Sequence, residues 1–168
     1  MDAATFIAMV TACAPLVDAG TASALVAVES TFNLHAIGVV GGRLERQPRQ
    51  RTEALATARM LQARGWNFSV GLAQINVRNF ERLGLIVETA FEPCANLAAM
   101  QSILMDCFAR AGGTDKPAQR ALRQALSCYY SGNFVTGFDH GYVRRVVKAV
   151  HTPADRPAPI LAQSKESP

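Results

Sequence analysis

This chain lacks any apolar run near the roughly twenty residues that a membrane-spanning helix needs. No span is expected. No two of its four cysteines stand in CxxC spacing, which excludes the common zinc-site and thioredoxin-like patterns. Charge is sparse, at 18% of residues against a usual share of about a quarter, so a solvated, disordered chain is excluded. Lysine is scarce too, since 14 of the 17 basic residues are Arg. Nucleic-acid readout has no support: finger spacing, a basic region followed by heptads and a sheet with paired aromatics are all missing. What is present is 168 residues, 49% of them hydrophobic, with a formal net charge of +4. That is enough for one compact domain with a substantial core. The cluster Arg43, Arg46, Arg49, Arg51, Arg59 and Arg64 could attract an anionic polymer, or simply form a solvated face.

The N-terminal MDAATFIAMVTACAP places acidic Asp2, and no Lys or Arg, ahead of its apolar residues. It does not read as a signal peptide. A cytoplasmic protein would look like this, and so would a mature exported domain whose leader is not part of this stretch. The initiator Met fits the second case. Cys13, Cys94, Cys107 and Cys128 allow two disulfides in an oxidising compartment or four buried thiols in a reducing one, and composition leaves both open.

Hydrophobic periodicity predicts a mostly helical domain with one small β element. Residues 3–14 read as a helix stopped by Pro15. A second helix starts at Gly20–Thr21 and carries Glu29. NLHAIGVVGG reads as extended chain or turn. TEALATARMLQARG reads as a helix with Thr52 as N-cap and Gly65 as its stop. WNFSVGLAQIN breaks the period, because Phe68, Val70 and Leu72 alternate with Asn67, Ser69 and Gly71, as in a strand with a glycine inside it. A short helix VRNFERLG ends at Gly84. FEPCAN reads as a turn, with Asn96 capping a helix that puts Leu97, Met100, Leu104 and Cys107 on one face and stops at Gly112–Gly113. Pro117 opens a helix that runs to Tyr130 and ends at Gly132, and a last helix covers residues 141–150. Four prolines in the final eighteen residues mark a disordered tail. The expected class is mainly α (α+β). Residues 1–151 form a single helical domain with a small β-hairpin element, and residues 152–168 form the tail.

Three stretches carry chemistry. In SALVAVESTFN, Glu29 sits among Ala24, Leu25, Val26, Ala27, Val28 and Phe32. A carboxylate in apolar surroundings is costly unless paired. It is either a helix-end carboxylate paired with an Arg or capping a backbone, or a general acid whose pKa is raised so that it keeps its proton. GLAQIN is either a plain strand or a sugar-binding edge. Gly71 lets a ligand approach the backbone, while Gln74 and Asn76 offer amides suited to hydroxyl and acetamido groups. SCYYSGN sets Tyr129 and Tyr130 at a helix end, as half-buried core residues or as part of a site.

Taken together, the order of these blocks is specific. Glu29-Ser30-Thr31-Phe32, Gly71 to Asn76, and Cys128-Tyr129-Tyr130-Ser131-Gly132 resemble the lytic transglycosylases with a goose-type lysozyme-like (SLT) fold. In that family the blocks read approximately E-S-x-F, G-L-M-Q-I-N and A-Y-N-A-G. NVRNFERLGL, FEPCANL, SGNF and GFDHGYVRRV further resemble the branch attached to type IV secretion and conjugation machines. The resemblance covers residues 6–150. It implies a lysozyme-like fold with the β element beside a substrate groove, and an enzyme that cuts the β-1,4 bond between N-acetylmuramic acid and N-acetylglucosamine in peptidoglycan.

The resemblance also assigns roles. Glu29 is the single catalytic acid/base, and Tyr129 hydrogen-bonds near it. Ser30 orients Glu29 or touches substrate. Gly71, Leu72, Gln74, Asn76 and Tyr130 line the sugar groove, and Tyr142, in the late Y-V block, helps form the cleft. Tyr130 stands where the family usually has Asn, and Ala73 replaces a common Met. These departures put a hydrogen bond and the groove wall in question. Disulfides Cys13–Cys94 and Cys107–Cys128 are expected, the first on the resemblance and the second because the two helices are joined by a short loop. No cofactor or metal is expected. The expected partners are glycan strands and secretion-machine components in the periplasm, with no nucleic acid and with the protein as a monomer. Two other readings remain. One is a lysozyme-type hydrolase using Glu45 or Asp139 as a second carboxylate. The other is a non-catalytic peptidoglycan-binding assembly module.

Overall fold

The computed structural model describes residues 1–113 and 117–150. The proline-rich tail expected from residue 152 lies outside the described residues. Among those described, eight helices and a three-stranded antiparallel sheet follow one another. In chain order they are α1 (Ala3–Cys13), α2 (Ala19–Ser30), β1 (Ile37–Val39), α3 (Arg51–Ala63), β2 (Phe68–Val70), β3 (Ile75–Asn76), α4 (Val87–Ala90), α5 (Pro93–Arg110), α6 (Ala118–Ser131), α7 (Thr136–Asp139) and α8 (Tyr142–Val150). The mainly helical α+β class holds. No described helix is long and apolar enough to cross a membrane.

Helix starts follow local chemistry. The carboxylates of Asp2 and Asp18 accept from the N–H groups of Thr5 at 2.9 Å and Thr21 at 2.8 Å, which satisfies donors that have no partner within the helix. α6 ends where Gly132 turns left-handed at φ 78°, the usual terminal use of glycine. Three expected boundaries are corrected. α3 opens at Arg51, so Thr52 lies inside its first turn and Gln50 precedes it without a side-chain cap. α5 opens at Pro93, whose fixed φ suits a first helical position, so Asn96 sits inside the helix rather than capping it. The expected helix after Asn76 is a single 3-10 turn, Val77–Asn79, capped by the Asn76 side chain.

The sheet has one more strand than the expected hairpin. β2 pairs with β1 through Ile37↔Val70 and Val39↔Phe68, and with β3 through Ser69↔Asn76. Phe68 and Val70 are buried while Ser69 between them is not, the period-2 alternation of a half-buried strand. The outer edge of β1 is met by a side chain. Gln47 accepts from the Ile37 N–H at 2.8 Å and returns a bond to the Ile37 carbonyl at 2.9 Å, closing an edge that would otherwise be free to pair.

α5 forms the centre. Its Leu97, Met100 and Leu104 are buried, each contributing about 1.5–3 kcal/mol of transfer free energy, and it packs against α1 and α6. Disulfides tie it to both neighbours, Cys13–Cys94 to the end of α1 and Cys107–Cys128 to α6. α2 packs along α8, and this contact brings the end of α2 against Tyr142.

Candidate active site

α2 ends one residue after Glu29, and the chain turns sharply there. Thr31 and Phe32 have φ values of 52° and 61°, a left-handed conformation that side chains seldom adopt. Phe32 is held by packing, its ring meeting Phe6 edge-on at 5.1 Å. Gln74, with φ 49°, is the third such non-glycine residue among those described. Gln74 lines a concavity, and Thr31 and Phe32 follow within three residues of Glu29, which lines it too; backbone strain so placed is a pointer to a functional site.

That concavity is an open cleft of about 560 Å³ between the end of α2, the sheet and the end of α6. Glu29 is the one carboxylate among the residues described as lining it. Ser69, Gln74 and Asn76 face it from the sheet side, and Tyr129 and Tyr130 from α6. Tyr142 donates its O–H to Glu29 Oε1 at 2.5 Å. Burial pushes the Glu29 carboxyl from 4.5 up to about 7, against the downward pull of the Tyr142 hydrogen bond and the Arg145 charge. Its buried helix neighbours Leu25 and Val26 contribute to that apolar setting. Because Glu29 Oε1 accepts the Tyr142 bond, a proton held by the carboxyl is best placed on Oε2. Burial and the Glu29 charge push the hydroxyls of Tyr129 and Tyr142 well above their ordinary value. Both therefore remain protonated donors at neutral pH.

The sheet side of the cleft is built by close fits. Gln74 Nε2 donates to the carbonyls of Ala36 at 3.1 Å and Gly71 at 3.0 Å. Gly38 makes room for it, because a Cβ there would stand 2.7 Å from Gln74 Oε1. Asn76 Nδ2 donates to Ser69 Oγ at 3.2 Å. Behind this edge lies Asn96, only 1% exposed. Its amide donates to the carbonyls of Val70 at 3.0 Å and Ala90 at 2.7 Å, and accepts from the Ala73 N–H at 2.8 Å. Tyr129 donates to the Ala73 carbonyl at 2.6 Å, so α6 grips the same turn. Tyr130 stacks on Tyr142 with centroids 4.6 Å apart, and its hydroxyl lies 3.2 Å from His140 Nδ1.

Glu29, Gln74, Asn76, Tyr129 and Tyr130 thus come together at the cleft, with Tyr142 against Glu29. Three expected groove residues are placed elsewhere. Ser30 is one residue, and so about 100°, around the helix from Glu29; it is buried and donates back to the Val26 carbonyl at 3.3 Å. Gly71 and Leu72 are buried in the turn between β2 and β3 and are not among the residues lining the cleft. Gly71 has φ 77°, and a Cβ on it would lie 2.4 Å from Asn96 Nδ2. The close approach it permits here is that of the Asn96 amide. Asn96 and the direct Tyr142–Glu29 bond were missed from sequence. An amide in a first helical turn reads as a cap, and nothing local to Tyr142 points to a carboxylate. No group of three or more His, Cys, Asp or Glu that could hold a metal occurs among the described residues.

Comparison with known proteins agrees with this geometry. No solved structure gives a significant match. The type IV secretion system protein virB1 of Brucella suis biovar 1 (strain 1330) is 44% identical over 170 residues, covering 97% of this chain and 71% of the relative. Protein virB1 of Agrobacterium fabrum (strain C58) is 39% identical over 139 residues, covering 82% of this chain and 56% of that protein. Residues 7–150 match the family described as the transglycosylase SLT domain. Since that match runs from α1 to the end of α8 and takes in the whole cleft, the chain belongs to the transglycosylase SLT family.

Proposed function

We propose that this protein is a peptidoglycan lytic transglycosylase that cleaves the β-1,4 bond between N-acetylmuramic acid and N-acetylglucosamine and leaves 1,6-anhydromuramyl ends. The observation that carries the reading is a lone carboxylate: Glu29 is the one acid described at the cleft, with its pKa raised to about 7 by burial. A glycosidic oxygen leaves readily once protonated, and a group with a pKa near the working pH is best suited to supply that proton. Glu29 gives its proton to the bridging oxygen and the C–O bond breaks. The muramyl N-acetyl group stabilises the cation. The sugar's own 6-hydroxyl then attacks the anomeric carbon, its proton returns to Glu29, and no water is consumed.

An internal nucleophile of this kind reaches effective molarities of about 10⁵–10⁸ M, so one acid/base suffices. Glycosidases that use a second carboxylate hold it about 5–9.5 Å from the first. Glu45 and Asp139, the candidates for that role, are exposed and do not line the cleft. Tyr142 orients Glu29, while Gln74, Asn76, Tyr129 and Tyr130 offer hydrogen bonds to sugar hydroxyl and acetamido groups. The names of the virB1 relatives support a place beside a type IV secretion machine, where local opening of the wall admits the apparatus. Two disulfides fit the oxidising periplasm. Residues 1–151 act as the catalytic domain, and the protein works as a monomer on glycan strands. Mass spectrometry of digested cell wall tests the reading. Anhydromuramyl products, lighter by one water than those of a lysozyme, are expected. Reducing ends would overturn it in favour of a hydrolase, and no digestion at all would assign the chain to a non-catalytic module.

A further inference from the structure

A second recess, of about 280 Å³, adjoins the cleft, and the two share Asn67 and Arg78. It is lined by Trp66, the one Trp in the chain, which is 47% exposed. Gly65, left-handed at φ 73°, turns the chain at the end of α3, and the Trp66 N–H is tied to the Leu61 carbonyl at 3.0 Å. A Cβ on Gly42 would stand 3.8 Å from Trp66 Cζ3, so the ring lies beside the segment that follows β1. Exposed Val40, in the same segment, lines the cleft. A half-exposed Trp leaves a large apolar face in water, and Trp is characteristic of surfaces that become covered on binding. Single exposed apolar residues are common, but two further features gather at this recess. Asn67 Oδ1 is buried with no hydrogen-bond partner among the described residues, although buried polar atoms are nearly always paired. Arg78 also lines the recess, exposed and, like most of the described arginines, in no ion pair with a described residue, so its guanidinium is available to a ligand.

We infer that this recess is an outlying subsite for the glycan strand, in which an N-acetylated sugar ring stacks on Trp66 and Arg78 pairs with a carboxylate of the peptide carried by the strand. The inference rests on the proposed peptidoglycan reading and names a further contact of that substrate. A β-linked amino sugar has a face of C–H groups that fits an indole. Its hydroxyl and acetamido groups offer the partners that the Asn67 amide lacks. A guanidinium suits a carboxylate through paired N–H donors. Because Asn67 and Arg78 belong to both concavities, a strand bound at Glu29 and long enough to pass them reaches Trp66.

The sole Trp makes the test direct, because its fluorescence reports on this recess alone. The Glu29→Gln variant is titrated with an N-acetylglucosamine disaccharide and hexasaccharide, and with a peptide-bearing glycan fragment of the longer length. The hexasaccharide is expected to change Trp66 emission and the disaccharide to leave it unchanged. Trp66→Ala lowers the preference for the longer oligosaccharide about tenfold by calorimetry, a loss in the range of a buried aromatic contact. Trp66→Phe retains most of that preference, which separates lost stacking from lost folding. Arg78→Gln lowers the preference for the peptide-bearing over the bare strand about fivefold, the scale of an exposed ion pair. Saturable hexasaccharide binding with unchanged emission would overturn the subsite, as would Trp66→Ala with full length preference. Either result alongside anhydromuramyl products refutes the subsite alone. Reducing-end products from a protein whose Trp66 still responds refute the transglycosylase reading alone.

Discussion

Replacing Glu29 with Gln removes a proton and a charge while keeping the shape, and the two losses have separate signatures. The amide cannot protonate a glycosidic oxygen. General acid catalysis contributes roughly 10²–10⁴-fold, and here one group serves both the acid and the base step, so activity on cell wall should fall about 10³-fold or more. The second signature is stability. Burial raises the Glu29 pKa from 4.5 to about 7, so the folded protein holds this proton more tightly than the unfolded chain does. A raised folded pKa gives stability that is fully present below the unfolded value, declines as pH rises above it, and is lost once pH passes the folded value. The interval from 4.5 to about 7 corresponds to about 3 kcal/mol at most. Water in the open cleft screens part of it, leaving about 2 kcal/mol. Gln does not titrate. Relative to wild type, the variant should therefore gain about 2 kcal/mol between pH 4 and pH 9. Urea unfolding of both proteins at the two pH values measures this, beside a turbidity assay of digestion. Parallel stability curves would show that Glu29 does not titrate near neutrality, and near-wild-type digestion by the variant would remove Glu29 from the chemistry altogether.

Three further outcomes are expected. Tyr142→Phe deletes the hydrogen bond that pulls the Glu29 pKa down, so the alkaline limb of the pH–rate profile should move to higher pH while kcat drops; an unmoved limb would mean that the bond is absent in solution. Gly71→Ala must place a Cβ 2.4 Å from Asn96 Nδ2 at φ 77°, which should cost about 2 kcal/mol or more in urea unfolding; a change under about 0.5 kcal/mol would contradict the close fit. On loop-closure entropy, the Cys13–Cys94 bond with its separation of 81 is worth about 4.5 kcal/mol and the Cys107–Cys128 bond with its separation of 21 about 3 kcal/mol. Cys13→Ala/Cys94→Ala should therefore unfold at lower urea than Cys107→Ala/Cys128→Ala, and the reverse order would refute the loop-closure reasoning.

Much of the helical frame was legible in local pattern. Leu97, Met100 and Leu104 recur at the spacing of one helical face, Gly112–Gly113 follow the last turn of α5, and Gly132 closes α6. The alternation of Phe68, Ser69 and Val70 marked a half-buried strand. Glu29 stood out because a carboxylate among apolar residues demands an explanation wherever the chain goes. Such signals are local, because periodicity reports which side of an element avoids water. It does not report which neighbour fills that side. Tyr142 is 113 residues from Glu29, and only the packing of α2 along α8 sets its hydroxyl on the carboxylate. Ser30 adjoins Glu29 in sequence and faces another way, because a helix turns about 100° per residue. Gly71 marks a close backbone approach in the sequence, and only the placement of α5 shows that Asn96 fills the space on its Cβ side. Trp66 and Asn67 are adjacent in sequence, whereas Arg78 comes from the turn after β3, and its meeting with them beside the cleft follows from how β3 pairs with β2. Hydrogen-bond partners and steric neighbours are relations between elements, so they exist only once the elements have packed.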